Sequence, residues 1–181
     1  MSESSPVRVF PSERGRLGGF DSAPLLVYGQ GAAKIGELVA AYSTLSTISI
    51  QGLANLSGVL RHVRRAVGLY ATSRTGFSGE AGEALSLFRR EHPARAALLY
   101  GALDYNVERA ARKAVELGAD GVVMPGIELD EWLEYAFNIL REAASGAAPP
   151  ATVAEHRARI ERWAPRSPFW KLQDARASGV F

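Results

Sequence analysis

The chain has no cysteine among its 181 residues. Disulfides, cysteine-held iron–sulfur clusters and thiol nucleophiles are thereby excluded. Long apolar runs are missing too, and nothing approaches the roughly 20 uninterrupted apolar residues of a membrane-spanning helix. Met1 to Arg16 is polar and lacks the apolar stretch of a secretory signal, so the expected compartment is the cytoplasm. Histidine is scarce, at three residues. No His/Asp/Glu spacing suggests a metal centre, and no cofactor is expected. No Ser-His-Asp arrangement for nucleophilic catalysis can be read. An excess of one charge is also lacking, since 21 Lys and Arg face 19 Asp and Glu for a net +2. Basic residues are dispersed apart from Arg61, Arg64 and Arg65. Phosphate-backbone binding needs a continuous basic stripe, so neither nucleic acid nor a membrane is an expected partner.

What is present is an ordinary globular mixture of 47% hydrophobic and 22% charged residues. That composition excludes a disordered, collagen-like or low-complexity chain. The texture divides the chain in three. Residues 1–23 are rich in Ser, Gly, Pro and Arg and are expected to form an extended arm, with Val7 to Phe10 as a short strand-like run. Residues 24–146 alternate short apolar runs with amphipathic stretches. Predicted strands are Leu25 to Tyr28, Thr47 to Ile50, Val67 to Ala71, Ala96 to Tyr100 and Gly121 to Met124. The intervening helices are Ala33 to Tyr42, Leu53 to Arg65, Gly79 to Arg90, Val107 to Leu117 and Leu129 to Ala144. Such alternation signals a parallel sheet covered on both faces. The expected fold is a three-layer, doubly wound, Rossmann-like α/β sandwich with a five-stranded parallel sheet. A segment of a (β/α)8 barrel would share this texture, but eight units need roughly 200 or more residues.

Residues 147–181 begin with a proline-containing linker, Ala147 to Ala151. A short helix follows from Thr152 to Trp163, with Thr152 as N-cap and Glu155 three residues on. Beyond it lie Phe169, Trp170, Leu172 and Phe181, which pack either on the same chain or on a partner subunit. His62 and His156 are expected on solvated helix surfaces, and His92 at a helix end.

In open α/β sheets the ligand lies beyond the carboxyl ends of the strands. The first strand-to-helix turn is Gly29-Gln30-Gly31-Ala32-Ala33-Lys34. It is neither a dinucleotide fingerprint nor a P-loop, yet two glycines allow close approach of a ligand to the backbone. The turn after the third predicted strand is more informative. It reads Thr72-Ser73-Arg74-Thr75-Gly76-Phe77-Ser78-Gly79-Glu80, four hydroxyls and two glycines ahead of a helix. A helix start offers unpaired N–H donors and the positive end of a dipole. Added hydroxyls and a pliant glycine make a phosphate cradle. The plainer reading is a helix cap made by Ser78, with the other hydroxyls solvated. After the fourth strand, Asn106 is expected to cap a helix. Asp104 can cap or can touch a ligand.

Ser73-x-Thr75-Gly76-x-Ser78-x-Glu80 resembles the Ser-x-Ser-Gly-x-Thr-x-Glu signature of the sugar isomerase (SIS) domain family. Thr and Ser are exchanged at two positions, which keeps each hydroxyl. Gly29-Gln30-Gly31 is similar to the family's earlier glycine turn, with Ala32 and Ala33 where a serine is usual. Ala119-Asp120 before Val122 to Pro125 resembles a further family passage. The resemblance covers about residues 25–144. It implies that Ser73, Thr75, Gly76 and Ser78 hold the phosphate of a sugar phosphate, beside Gly29, Gln30 and Gly31. It further implies an aldose–ketose isomerisation through an enediol, with a carboxylate base. Glu131 is the best positional match for that base and Glu128 the second; in a helix's first turn both also favour the dipole without catalysis. The resemblance further implies a homo-oligomer, a dimer or tetramer, and a ring-opening role for His156 across a subunit interface. Two alternatives remain: a non-catalytic phosphosugar-binding or regulatory module, and an assembly subunit in which the hydroxyl-rich turn is only a cap.

Overall fold

In a computed structural model of the protein, the described residues are 5–12, 23–72, 79–92, 96–102, 106–124 and 129–163. The elements follow in the order β1 (Val7–Phe10), β2 (Leu25–Tyr28), α1 (Ala32–Tyr42), β3 (Thr47–Ile50), α2 (Leu53–His62), β4 (Gly68–Thr72), α3 (Glu80–Glu91), β5 (Ala97–Gly101), α4 (Val107–Leu117), β6 (Gly121–Val123), α5 (Leu129–Ala144) and α6 (Val153–Trp163). One sheet runs in the order β1-β3-β2-β4-β5-β6. All pairs are parallel except β1–β3.

The α/β class and the two-sided covering agree with the sequence. The expected five-stranded parallel sheet does not: the sheet is six-stranded and mixed. The correction comes from the arm, where Val7–Phe10 pairs antiparallel with Ile50 to Thr47. Main-chain bonds carry this edge, including Gln51 N–H to the Pro6 carbonyl at 2.8 Å. Ser12 then donates its hydroxyl to the Ser43 carbonyl at 2.7 Å.

The central strands read as continuous apolar runs because both faces are covered. On one face Leu26, Tyr28, Leu69, Leu98 and Tyr100 pack with Leu56, Leu85, Phe88 and Ala111 from α2, α3 and α4. On the other, Leu25, Val27, Tyr70 and Leu99 pack with Val39 of α1 and with Trp132, Tyr135 and Ile139 of α5. Polar ties fix α1 in register over β3. Thr47 and Ser49, both buried, donate to the Gly36 and Ala32 carbonyls at 2.7 and 2.8 Å. A Cβ on Gly36 would overlap the Ser49 hydroxyl. At the far edge, β6 has an outward N–H at Val122, which the buried Tyr135 hydroxyl accepts at 3.0 Å. Burial pushes the Tyr135 phenol up to about 12. No described helix is long and apolar enough to cross a membrane.

The linker at 147–151 leads into α6, which lies against α4 and β6 and adds Ile160 to the core. Its start is the expected capping box. Thr152 Oγ1 accepts the Glu155 N–H at 3.2 Å, and Glu155 Oε2 accepts the N–H groups of Ala151 and Thr152 at 2.6 and 3.2 Å. These backbone bonds hold the Glu155 carboxyl below its usual range. His156 corrects the expectation of a solvated ring: it is 1% exposed and neither ring nitrogen has a hydrogen-bond partner. Burial, with Arg159 nearby, holds its pKa below the ordinary 6.5, against the opposing pull of Asp120, Glu155 and the Pro150 carbonyl.

An unfolded chain protonates this ring near pH 6.5 while the folded one resists. Stability is therefore complete above that pH and falls as pH drops toward the lowered native value. Urea denaturation should therefore report lower stability at pH 5.5 than at pH 7.5. His156→Leu should flatten this slope. His92, also lowered by burial, should account for part of what remains.

Candidate functional site

The chain leaves β2 for α1 on one face and leaves β4 for α3 on the opposite face. The two strands are neighbours, with Tyr28 opposite Ala71. A crevice at the carboxyl ends of two strands whose connections diverge is the usual ligand position in doubly wound folds. Both turns singled out in the sequence start from these two strands. Gly29 has φ 114° and Gly31, the N-cap of α1, has φ 78°, conformations that L side chains rarely adopt. A Cβ on Gly29 would overlap the Thr72 carbonyl oxygen. The turn thus closes against the end of β4 only because residue 29 has no side chain. α1 begins without a side-chain cap or an acidic residue in its first turn, as Ala32 and Ala33 require.

Ser73, Thr75, Gly76 and Ser78 lie outside the described residues, as do Asp104 and Glu128. Their flanks are in place. Thr72 ends β4 and is 8% exposed. α3 starts at Glu80 with Gly79 as N-cap and no side-chain cap bond. The buried Tyr28 phenol, reaching up from the end of β2, donates to Glu80 Oε1. Burial and that carboxylate raise the Tyr28 pKa far above its ordinary value. This bond ties the first residue of α3 to the end of β2. The sequence did not announce it, because the partners are 52 residues apart.

Glu131 lies in the first turn of α5, which enters the sheet's other face from the carboxyl edge. It is half-buried, and its Oε2 is buried without a hydrogen-bond partner. Next to it, Trp132 packs edge-on against Tyr70 of β4, with centroids 5.3 Å apart at 79°. Burial pushes the Tyr70 phenol up to about 12, while bonds to Trp132 and Thr72 pull the other way. Tyr70 and Trp132 thereby link the first turn of α5 to Thr72, the residue that precedes the hydroxyl-rich turn.

Other sequence candidates fall elsewhere. Asn106 caps α4 as expected, its Oδ1 accepting the Arg109 N–H at 3.0 Å. Asp120 is buried at the start of β6, at the amino edge, where its Oδ2 accepts the Leu98 N–H at 2.8 Å. His92 stacks on Phe88 at 4.9 Å, and His62 faces its own helix at the Gly58 carbonyl, 2.9 Å away. His156 is buried within its own chain, so that site is closed to a neighbouring subunit's substrate. Among the described residues no group of three or more His, Asp or Glu forms a metal cluster. A recess of about 550 Å³ lies along the flanks of α3 and α4, lined by Gly79, Ser86, Arg90, Tyr100 and Lys113. It includes neither Gly29 nor Glu131, and the crevice between β2 and β4 is the better-founded site on topology.

No protein-family model matches the chain, and no curated protein matches it.

Gly29→Ala should cost about 2 kcal/mol or more, through both overlap and backbone strain. Gly58→Ala is the control. That glycine sits in α2 with open space around its absent Cβ, and alanine there should add about 0.5–1 kcal/mol. Denaturant midpoints of the two variants should move in opposite directions.

Proposed function

We propose that the protein binds a sugar phosphate in the crevice between β2 and β4 and interconverts aldose and ketose forms through an enediol. The phosphate sits on Ser73, Thr75, Gly76 and Ser78, with Gly29, Gln30 and Gly31 closing the opposite wall. Glu131 is the base, with Glu128 the other candidate. The carboxylate takes the proton from the carbon beside the carbonyl, the carbonyl oxygen gains a proton, and the enediol forms. Return of the carboxyl proton to the former carbonyl carbon, with loss of the neighbouring hydroxyl proton, completes the exchange. Atoms and charge balance without a redox partner or a metal.

The observation that carries this reading is the unpartnered, buried Oε2 of Glu131 at the carboxyl edge. A buried polar atom left without a partner costs about 1–3 kcal/mol. A first-turn acid that only served the helix dipole would favour solvent or a backbone N–H. The link through Trp132 and Tyr70 to Thr72 also supports it. The same reading makes the protein a cytoplasmic homo-oligomer; the aromatic residues at 169–181, for which both packing on the same chain and packing on a partner were expected, lie outside the described residues.

A non-catalytic phosphosugar-binding module is the second reading. It is favoured by Ala32 and Ala33 at the start of α1, where no side-chain hydroxyl can meet the substrate.

Incubation with hexose and pentose phosphates in D2O should show deuterium entering the substrate carbon. Glu131→Gln should slow that exchange by a factor of about 100 or more while leaving ligand-induced thermal stabilisation in place. Stabilisation without exchange in the wild-type protein would support the binding module. Exchange surviving in both Glu131→Gln and Glu128→Gln would reject the assignment of the base.

A further inference from the structure

α5 and α6 flank β6 from opposite faces, and a recess of about 390 Å³ opens between them. Its polar lining is Asn138, Arg141, Glu142, Ser145, Arg159 and Arg162. Three guanidinium groups therefore share the recess with one carboxylate. Arg159 neutralises that carboxylate, its Nη2 lying 2.6 Å from Glu142 Oε2. Its Nη1 donates to the Asp120 carbonyl at 2.6 Å, which anchors α6 to β6. Arg159 is accounted for as a structural residue. Arg141 and Arg162 are not: neither makes an ion pair among the described residues.

A cation in the last turn of a helix favours that helix's carbonyl end. Arg141 and Arg162 both occupy such positions. The dipole accounts for one arginine per helix. It does not account for two unpaired guanidiniums, from different helices, lining one recess beside the Asn138 amide and the Ser145 hydroxyl. Like charges brought together in a concavity attract a counter-anion, and planar guanidinium forks match phosphate oxygens two at a time. The volume lies at the lower end of small-ligand sites. It is too small for a nucleic-acid duplex, and the basic residues of the chain form no continuous stripe beyond it.

We propose that this recess is a second anion site, which takes a small phosphate-bearing molecule between Arg141 and Arg162. It is separate from the crevice. Glu131 and Arg141 are ten residues apart on α5, about 15 Å along the helix. The proposal does not depend on the isomerase reading, because it rests on other residues at the opposite end of that helix.

Calorimetric titration with inorganic pyrophosphate tests it. The measurement is made in a Ser73→Ala/Thr75→Ala background, so that the hydroxyl-rich turn contributes little. Saturable binding is expected there, weakened about tenfold or more by Arg141→Ala/Arg162→Ala. Arg141→Lys/Arg162→Lys, which keeps both charges and loses both forks, should fall between the two. Both arginines are exposed, so circular dichroism should be unchanged, with denaturation midpoints lowered only slightly by loss of the two helix-end charges. Unaltered affinity in the double alanine variant would overturn the proposal, as would the absence of saturable pyrophosphate binding. Binding of anionic vesicles or RNA in place of pyrophosphate would overturn it as well. Loss of pyrophosphate binding on Ser73→Ala/Thr75→Ala alone would assign all of it to the crevice, leaving the isomerase reading intact.

Discussion

The crevice depends on a steric constraint between two neighbouring strands. β2 and β4 send their chains to opposite faces, α1 onto one and α3 onto the other, so the two connections diverge at the carboxyl ends of the strands. Gly29 then brings the first turn against the Thr72 carbonyl, nearer than any residue with a Cβ could come. The Tyr28–Glu80 bond fixes the start of α3 on the end of β2. A hydrogen bond to a charged acceptor contributes about 1.5–3 kcal/mol, enough to hold one helix end in place but not to build the fold. The fold comes from the two apolar layers, and these contacts fix the start of α1 and the start of α3 against the ends of β4 and β2.

Much of this was legible from periodicity. Continuous apolar runs such as Leu25–Tyr28 and Ala97–Gly101 are strands because burial on both faces leaves no polar alternation to mask them. The helices between them carry their apolar stripes at helical spacing, and the Thr152/Glu155 box marks the start of α6 from four residues alone. β1 was not legible as a paired strand. Val7 and Phe10 are only half-buried and Val9 is 64% exposed, so its pairing rests on main-chain bonds that leave no side-chain pattern. α2 ends at His62, short of the expected Arg65. Its apolar stripe stops at Leu60, and beyond it Val63 turns extended.

The candidate positions could be chosen from the sequence, and their contacts could not. Gly29, Gln30, Gly31 and Glu131 could be chosen because strand-to-helix turns can be found by eye. Which of them face one another depends on strand order, which no local window contains. Tyr28 read as a core aromatic, and it is one; only the packed sheet shows that its hydroxyl reaches α3. His156 misled for the same reason. Its neighbours in sequence, Glu155 and Arg157, are exposed and charged, and its burial follows from α6 lying on α4 and β6.

α5 draws these threads together. Its amino end carries Glu131, its middle covers the β6 edge through Tyr135, and its carboxyl end carries Arg141 and Glu142 toward α6. Along this helix Trp132, Tyr135, Ile139 and Leu140 are all buried in one layer of the core. Interiors this dense transmit displacement rather than absorb it. An anion drawing Arg141 and Arg162 together would therefore load the same helix that presents the candidate base. Whether the two ends are coupled is a question of differential affinity. It reduces to whether pyrophosphate changes the affinity for a sugar phosphate, and by reciprocity the sugar phosphate must change the affinity for pyrophosphate by the same factor.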